Sequence, residues 1–520
     1  MTALLGLNLG RDAAAALFVD GRLVAAVEQE RFDADRHSAA FPAQAIGFVL
    51  AQAGLAAREV TALAIGDDRI DDAHRAALLA LGLPAATLVP HALAHAAGAF
   101  CGSGFDSAAV LVADGHAHGD ATAVFAADAD GLTQLAGWGD AHAPGRFYAE
   151  ATALCGLATR PGQEGKLMGL APWGTDGAGL KTLPRHSAVE VGSGNPRDQT
   201  GALAAPQLAP ALVAAANPAE PFGAASRAIA FAAQQALEQF MLALARHALA
   251  LTGATRLCLA GGVALNCNVN ALIAALPGLD ALYVQPAANN TGTAVGAAAW
   301  LHRELTGTRA VVDEQVYLGP ALDDSDTAIA QASAAGRIRA RRLADPIAEA
   351  AARIAAGKVI GWCQGRAEFG PRALGNRSIL ALPASAAMRD RVNAIKRREP
   401  WRPLAPSVLA EAAADWFDAA RPSPHMLLTF QVRADRRARI PAVAHVDGSA
   451  RVQTVSAHDN PRYHALIAEV GRLTGLPLVL NTSLNTRSKP MVLTARDCID
   501  CLLDSGLDAA VIDDWLVLPA

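Results

Sequence analysis

The 520-residue chain contains no run of about 18 uninterrupted apolar residues, so a membrane span is not expected. Its longest candidate, residues 228–251, is broken by Gln234, Gln235, Glu238, Gln239, Arg246 and His247 and reads as a long helix of a soluble protein. The start of the chain lacks the basic stretch, apolar middle and small-residue cleavage site of a secretory leader. Cysteine is scarce too. The seven cysteines are scattered and odd in number, which excludes a disulfide framework. Cys498 and Cys501 make one CxxC with no second pair nearby, a spacing that suits helix packing better than metal or redox chemistry. A cytoplasmic location is expected. Positive charge is also in short supply: the net charge is −5, with no clustered basic stripe, which argues against a nucleic-acid partner.

Lysine is the rarest cation. Five lysines (166, 181, 358, 396 and 489) stand against 39 arginines, so each lysine is informative. Alanine fills the space left over, with 122 residues, a bias that reflects a GC-rich genome and carries no chemistry. Hydrophobic residues make up 52 % and charged residues 18 %, a globular composition whose length calls for more than one domain.

Residues 4–8, 13–19 and 22–28 read as three strands, the last two joined by an Asp20-Gly21 hairpin turn. The pattern returns about 100 residues later. Residues 107–112, 121–126 and 132–138 are apolar, with turns at Asp114-Gly115 and at residues 128–131. Two strand–loop–helix units follow, at 256–275 and 281–305, each with a Gly- or Asn-rich loop before its helix. Two similar halves with hairpin loops and helix N-termini facing a cleft suggest an α/β actin/hexokinase-type nucleotide fold, that is, a duplicated RNase H-like domain. The expected division is a first domain at 1–310, a connector at 311–345 that includes a short helix, and a second α/β domain at 346–520. Residues 187–222, rich in Ala, Pro, Gly and Asn, read as an insertion or lid.

His91 and His95, four residues apart, fall on one helical face and suit one divalent metal. Such a pair is also met as plain packing, but Asp114 in the duplicated turn can add a carboxylate, and two His with one Asp suit Fe(II), Mn or Zn. Gly261, Gly262 and Asn266, and the Asn289-Asn290 loop, are candidates for nucleotide contact, with tight packing as the alternative. Lys166 sits in a Gly-rich turn. In the second domain, Gly365-Arg366-Ala-Glu368-Phe-Gly370-Pro-Arg372 continues to Arg377, and further polar stretches follow at Lys396-Arg-Arg-Glu399-Pro-Trp-Arg402, Arg451-Val-Gln-Thr454 and Asn481-Thr-Ser483-Leu-Asn485. Converging Arg, Lys, Ser and Asn point to a substrate that carries phosphate.

These motifs resemble the O-carbamoyltransferase family of the Nod-factor and antibiotic type. The match runs through Glu30-Arg31-Phe32…His37, His91-x-x-x-His95, Lys166-Leu-Met-Gly-Leu-Ala-Pro172, Gly261-Gly-Val-Ala-Leu-Asn266, Gly370-Pro-Arg-Ala-Leu-Gly375, Trp401-Arg-Pro403, Gln453-Thr-Val455, Asn460-Pro-Arg-Tyr-His464 and Asn481-Thr-Ser483. The resemblance implies an actin-like first domain and a YrdC-like second domain. It implies that carbamoyl phosphate and ATP, with Mg²⁺, form carbamoyl-adenylate in the second domain, and that the carbamoyl group then passes to a substrate hydroxyl in the first. By position, Arg372, Arg377, Lys396, Arg451, Asn481 and Ser483 hold carbamoyl phosphate and the adenylate. Lys396, Arg451, Ser483 and Asp12 are the catalytic candidates, and Lys166, Gly261, Gly262, Asn266 and Asn290 contact nucleotide. His91, His95, Asp114 and Asn290 hold the metal, iron foremost.

The first domain departs from the family pattern at three positions. Arg11 stands where a His proposed as general base is usual, and a protonated guanidinium cannot take up a proton. Asn290 replaces a ligand Asp, and Ala228 an acidic residue. Asp12 or His37 can replace the base, or the acceptor can be an amine. The expected partner is a small-molecule acceptor such as a sugar-, peptide- or polyketide-type natural product, in secondary metabolism such as antibiotic biosynthesis, with no nucleic acid and no membrane. Homodimer formation stays open. The competing reading is a degenerate first domain that binds nucleotide as a scaffold. Among the lysines, Lys166, Lys396 and Lys489 lie in or beside phosphate-type motifs; Lys181 and Lys358 do not.

Overall fold

β1 (Ala3–Asn8), β2 (Ala14–Val19) and β3 (Arg22–Glu28) form an antiparallel meander, turned at Asp20 and Gly21, both of which hold positive φ. β4 (Ala62–Ile65) runs parallel to β1, and β5 (Ala86–Leu88) parallel to β4, which gives the sheet order β3-β2-β1-β4-β5. The second sheet repeats this scheme. β6 (Ala108–Ala113), β7 (Thr122–Asp128) and β8 (Gly131–Trp138) form the meander, and β9 (Arg256–Ala260) and β10 (Ala281–Val284) add in parallel on the other side of β6. Each pairing has the same direction as its counterpart in the first sheet. The first unit is therefore the duplicated RNase H-like α/β domain of the actin/hexokinase type. Both central strands, β1 and β6, are buried along their whole length, as strands covered on both faces must be.

The structure, a computed structural model, describes the chain apart from residues 141–142, 159, 161, 175–207, 209, 314–315 and 487–488. Lys181 and most of the expected lid, residues 187–207 and 209, lie outside the described residues.

Four helices matter for the first unit: α1 (His91–Ser103), α2 (Ala224–Thr252), α3 (Cys267–Ala274) and α4 (Thr291–Thr306). α1 and α4 approach through small residues; a Cβ added to Gly296 would overlap the Ala94 carbonyl. Among the described residues α2 alone is long and apolar enough to cross a membrane by length and composition. It buries Ala233, Gln234, Leu237, Phe240, Met241 and Leu244 within its unit.

Contacts divide the chain into Met1–Gln29 with His37–Glu314, and Glu30–Arg36 with Gln315–Ala520. The second unit is an α/β domain on one nine-stranded sheet. In chain order its strands are β11 (Ile338–Arg342), β12 (Ile360–Cys363), β13 (Arg377–Ala381), β14 (Ala405–Leu409), β15 (Leu428–Gln431), β16 (Ser449–Val455), β17 (Leu478–Ser483), β18 (Ala509–Ile512) and β19 (Trp515–Pro519). Helices α5 (Pro346–Ala355) and α7 (Pro461–Thr474) help bury Trp362 and Tyr463 in its core, while α6 (Ala386–Ile395) and α8 (Ala495–Ser505) flank the site described below. The expected connector at 311–345 needs correction. Its short helix is present as Ser325–Ala334, but β11 pairs antiparallel with β19 and belongs to the sheet. The sequence Ile-Arg-Ala-Arg-Arg hides this edge strand because its charged residues face solvent. The segment Glu30–Arg36 also belongs here, with an Arg31 Nη2 donating to the Gly370 carbonyl at 2.8 Å.

Candidate active sites

In the first unit α1 begins directly after Pro90 and carries His91 and His95 one turn apart, their rings edge to face with centroids 4.7 Å apart. Asp114 follows the buried strand β6. Its Oδ1 accepts backbone N–H groups from Gly115 at 2.7 Å and Gly262 at 3.2 Å, which leaves Oδ2 3.2 Å from Nε2 of both histidines. One ligand atom from each of the three residues lies within 4.8 Å of the other two. All three are buried.

Burial pushes the Asp114 carboxyl up, but hydrogen bonds and charge from the two imidazoles outweigh it and hold the group well below the usual carboxylate range. Burial lowers His95, with Asp114 opposing. In His91 the same burial is overcome by Asp114, by Asp67 and by a backbone hydrogen bond to Gly66, so its pKa rises. His95 is buried; its Nδ1 has no hydrogen-bond partner, and its Nε2 faces only Asp114 Oδ2, which it shares with His91. A buried imidazole left in that state is costly, and a divalent cation accepting its Nε2 lone pair would satisfy it. The donor set of two imidazoles and one carboxylate fits such an ion.

The expected nucleotide contacts fare differently. Gly261, at φ +86°, would drive a Cβ into the Ala113 backbone, and Gly262 serves Asp114. Asn266 is spent on architecture. It caps α3 through Val269 N–H at 3.2 Å and exchanges hydrogen bonds with Gln234. Lys166 donates to the Leu157 carbonyl at 3.2 Å. Asn290 sits at the N-cap of α4, where its own carbonyl accepts from Thr293 N–H and Oγ1. Asp12 is buried and pairs with His37, while the Arg11 Nε lies 4.0 Å from it.

In the second unit Lys396 closes α6 and is buried. Its ammonium donates to the Ser483 carbonyl, to Ser483 Oγ at 3.2 Å, to the Asn485 carbonyl at 3.3 Å and to Asn485 Oδ1 at 2.6 Å. Burial, then the charges of Arg398, Arg36 and Arg402, pull its pKa well below the ordinary lysine value against an opposing effect of Cys501. Burial and the charges of Arg402 and Arg451 take Arg398 down to about 9. Arg402 is lowered in the same way, with Glu399 opposing. Lys396, Arg36, Arg398, Arg402 and Arg451 therefore act on one another as one cationic cluster, with the Glu399 carboxylate 3.4 Å from Arg402. Such a gathering is unfavourable unless an anion joins it.

Two of the expected clamps are engaged by groups of the protein itself. Arg377 is wholly buried and its guanidinium donates to the carbonyls of Leu493, Gln364, Gly365, Asn376 and Pro320, which ties the loop together. Asn481 is likewise buried, donating to Ala373 O, Ser407 Oγ and Gln453 Oε1. Arg372 is half-buried in the Gly370–Gly375 turn. Lys489 is exposed and faces Asp504 at 3.9 Å. Arg36, Arg398, Arg402 and Asn485 were not singled out from the sequence, although three of them lie inside quoted motifs.

The comparisons with known proteins agree with this division. The family model described as "Carbamoyltransferase N-terminus" matches residues 3–80 and 77–299, and that described as "Carbamoyltransferase C-terminus" matches residues 351–518. The chain belongs to the carbamoyltransferase family. Among relatives of this carbamoyltransferase, "Nodulation protein NolNO" of Sinorhizobium fredii is 36 % identical over 97 % of the chain and 78 % of the relative. "Nodulation protein NolO" of Bradyrhizobium diazoefficiens is 38 % identical over 82 % of the chain and 78 % of the relative. "Nodulation protein U" of Sinorhizobium fredii is 32 % identical over 92 % of the chain and 93 % of the relative. The chain is an enzyme that transfers a carbamoyl group.

Proposed function

We propose that this carbamoyltransferase forms carbamoyl-adenylate from carbamoyl phosphate and ATP in the second unit. The carbamoyl group then passes, in the first unit, to a hydroxyl or amine of a small-molecule natural product. The observation that carries this reading is the cluster of Lys396, Arg36, Arg398, Arg402 and Arg451. Five cations linked through Arg402, which is in range of Lys396, Arg36, Arg398 and Arg451, fit a substrate that brings several phosphate charges, as carbamoyl phosphate with ATP does. Atom balance requires one water to enter and phosphate and pyrophosphate to leave. Lys396, anchored by Ser483 and Asn485, adds a compact ammonium beside Arg36, Arg398 and Arg402, and the arginines bind and orient the phosphates.

In the first unit His91, His95 and Asp114 would hold a divalent ion, Fe²⁺ before Mn²⁺ or Zn²⁺. When bound, such an ion neutralises phosphate charge and polarises the carbamoyl carbonyl. Asp114 is fixed for this by Gly115 and Gly262 and keeps Oδ2 aimed at the two imidazoles. The intact cluster speaks for a working first unit over a nucleotide-binding scaffold.

The test is release of pyrophosphate from ATP by the full-length protein with Mg²⁺ and Fe²⁺. Release that depends on carbamoyl phosphate, and is lost in Arg451→Ala and Lys396→Ala, is the expected result. Release that is indifferent to carbamoyl phosphate would sink the proposal.

A further inference from the structure

Arg11 leaves the first unit without an evident proton acceptor, and Asp12 leads to His37. The Nε2 edge of that ring is covered, because a Cβ at Gly162 (φ +83°) would overlap it. Another His–carboxylate pair borders the His91–His95–Asp114 cluster. Three consecutive residues in the loop after β4 make the connection. Gly66 hydrogen-bonds the His91 imidazole through its backbone, Asp67 Oδ1 lies 2.9 Å from Nδ1 of His118, and Asp68 Oδ2 accepts the His91 N–H at 3.3 Å.

The loop that carries His118 starts directly after Asp114 and is held from its other side. Asp140 accepts Ala117 N–H at 3.0 Å and pairs with His116 Nδ1, while the position of Gly119 lies against Asp68, with 3.1 Å from a built Cβ to Oδ1. The rings of His116 and His118 meet edge to face, 5.8 Å apart. The His118 side chain keeps 33 % of its surface accessible. With Nδ1 bound to a carboxylate, the favoured tautomer carries its proton there and presents the Nε2 lone pair.

We propose that His118, oriented by Asp67, is the proton acceptor that activates the acceptor hydroxyl. The proposal rests on the reading above that transfer from the adenylate occurs in the first unit. The hydroxyl O–H bond breaks and its proton moves to His118 Nε2, while the oxygen bonds to the carbamoyl carbon. The bond from that carbon to the phosphate oxygen breaks, and AMP departs with the electron pair. The imidazolium then returns its proton to solvent. Asp67 fixes the tautomer and stabilises the cation. The charged and titratable neighbours are Asp67, Asp68, His116, Asp140 behind His116, and His91 across the loop; the carboxylates among them favour a transient imidazolium.

The experiment uses the full-length enzyme with Mg²⁺, Fe²⁺, ATP and carbamoyl phosphate, and water as the probe acceptor. ATP–pyrophosphate exchange reports adenylate formation, and AMP release reports transfer. His118→Gln should slow AMP release about 100- to 10,000-fold while exchange is unchanged. Hydroxylamine attacks through a nitrogen lone pair that needs no prior proton removal, and should restore release. Asp67→Asn, which removes the carboxylate that orients the ring, should also slow AMP release, by a smaller factor, with exchange unchanged and hydroxylamine again restoring release. His74→Asn, which removes a surface His–Asp pair at the start of the helix Asp72–Ala80, should behave as wild type. Wild-type AMP release in His118→Gln, failure of hydroxylamine to restore it, or equal loss of exchange would each overturn the assignment. Absence of exchange in the wild-type enzyme would instead overturn the adenylate reading.

Discussion

Asp12 Oδ1 lies 2.6 Å from Nδ1 of His37, and both residues hold φ at 60°. Two non-glycine residues in the left-handed region, joined by a short hydrogen bond, are strain compensated by electrostatics. Burial pushes the Asp12 carboxyl up. The hydrogen bond and charge of His37, with help from Arg11 and Asn289, outweigh it and hold its pKa below the ordinary value of 3.8. Its contribution to stability is therefore complete above that value and is lost as pH falls through the native pKa. Asn tolerates the same backbone, so Asp12→Asn isolates the charge. It should cost roughly 1–3 kcal/mol at pH 7 in urea titration, with the difference shrinking toward zero in strong acid.

Arg377 and Lys396 should divide between stability and turnover. Arg377→Met removes the donor shared by five carbonyls, of which those of Asn376 and Pro320 keep a backbone N–H, and is expected to lower stability by about 3 kcal/mol in the same titration. The fraction that remains folded should keep its carbamoyl phosphate-dependent turnover.

Lys396→Met removes a buried cation from among other cations. Loss of its hydrogen bonds to Ser483 and Asn485 is offset by relief of charge repulsion, so the melting temperature should fall less than in Arg377→Met, while pyrophosphate formation falls about 100-fold or more. Calorimetry beside the pyrophosphate assay separates the two effects.

Metal binding is countable. Elemental analysis after reconstitution with Fe²⁺ should find about one ion per chain, and Asp114→Asn or His95→Ala should remove it. Retention of the ion in both variants would move the site elsewhere.

The first unit was readable in the sequence where alternation and turn chemistry agree. β1 to β3 and β6 to β8 are bounded by Asp-Gly or Gly-rich turns, and the repeat of that pattern revealed the duplication. β4 and β5 are four and three residues long, too short for a period, and only the pairing of β4 with β1 and of β5 with β4 defines them. His91, His95 and Asp114 were legible because spacing and turn position are local properties. The cationic cluster was half legible. Lys396 and Arg451 stood out, but Arg36 comes from a distant segment, and sequence density weighted Arg377 as heavily as its neighbours. Whether a guanidinium faces a ligand or five carbonyls is decided by tertiary closure, which no motif encodes.

The contact between α1 and α4 runs through Ala94 and Gly296, main chain against main chain, one residue before His95. A contact of that kind has no rotamers to drift. The spacing of the imidazoles is thus set by the backbone and sheltered from change in the alanine-rich surroundings, so sequence can turn over widely around the ligands without detuning them. The same arrangement has one brittle point, because a single methyl group on Gly296 would act as a wedge beneath both histidines.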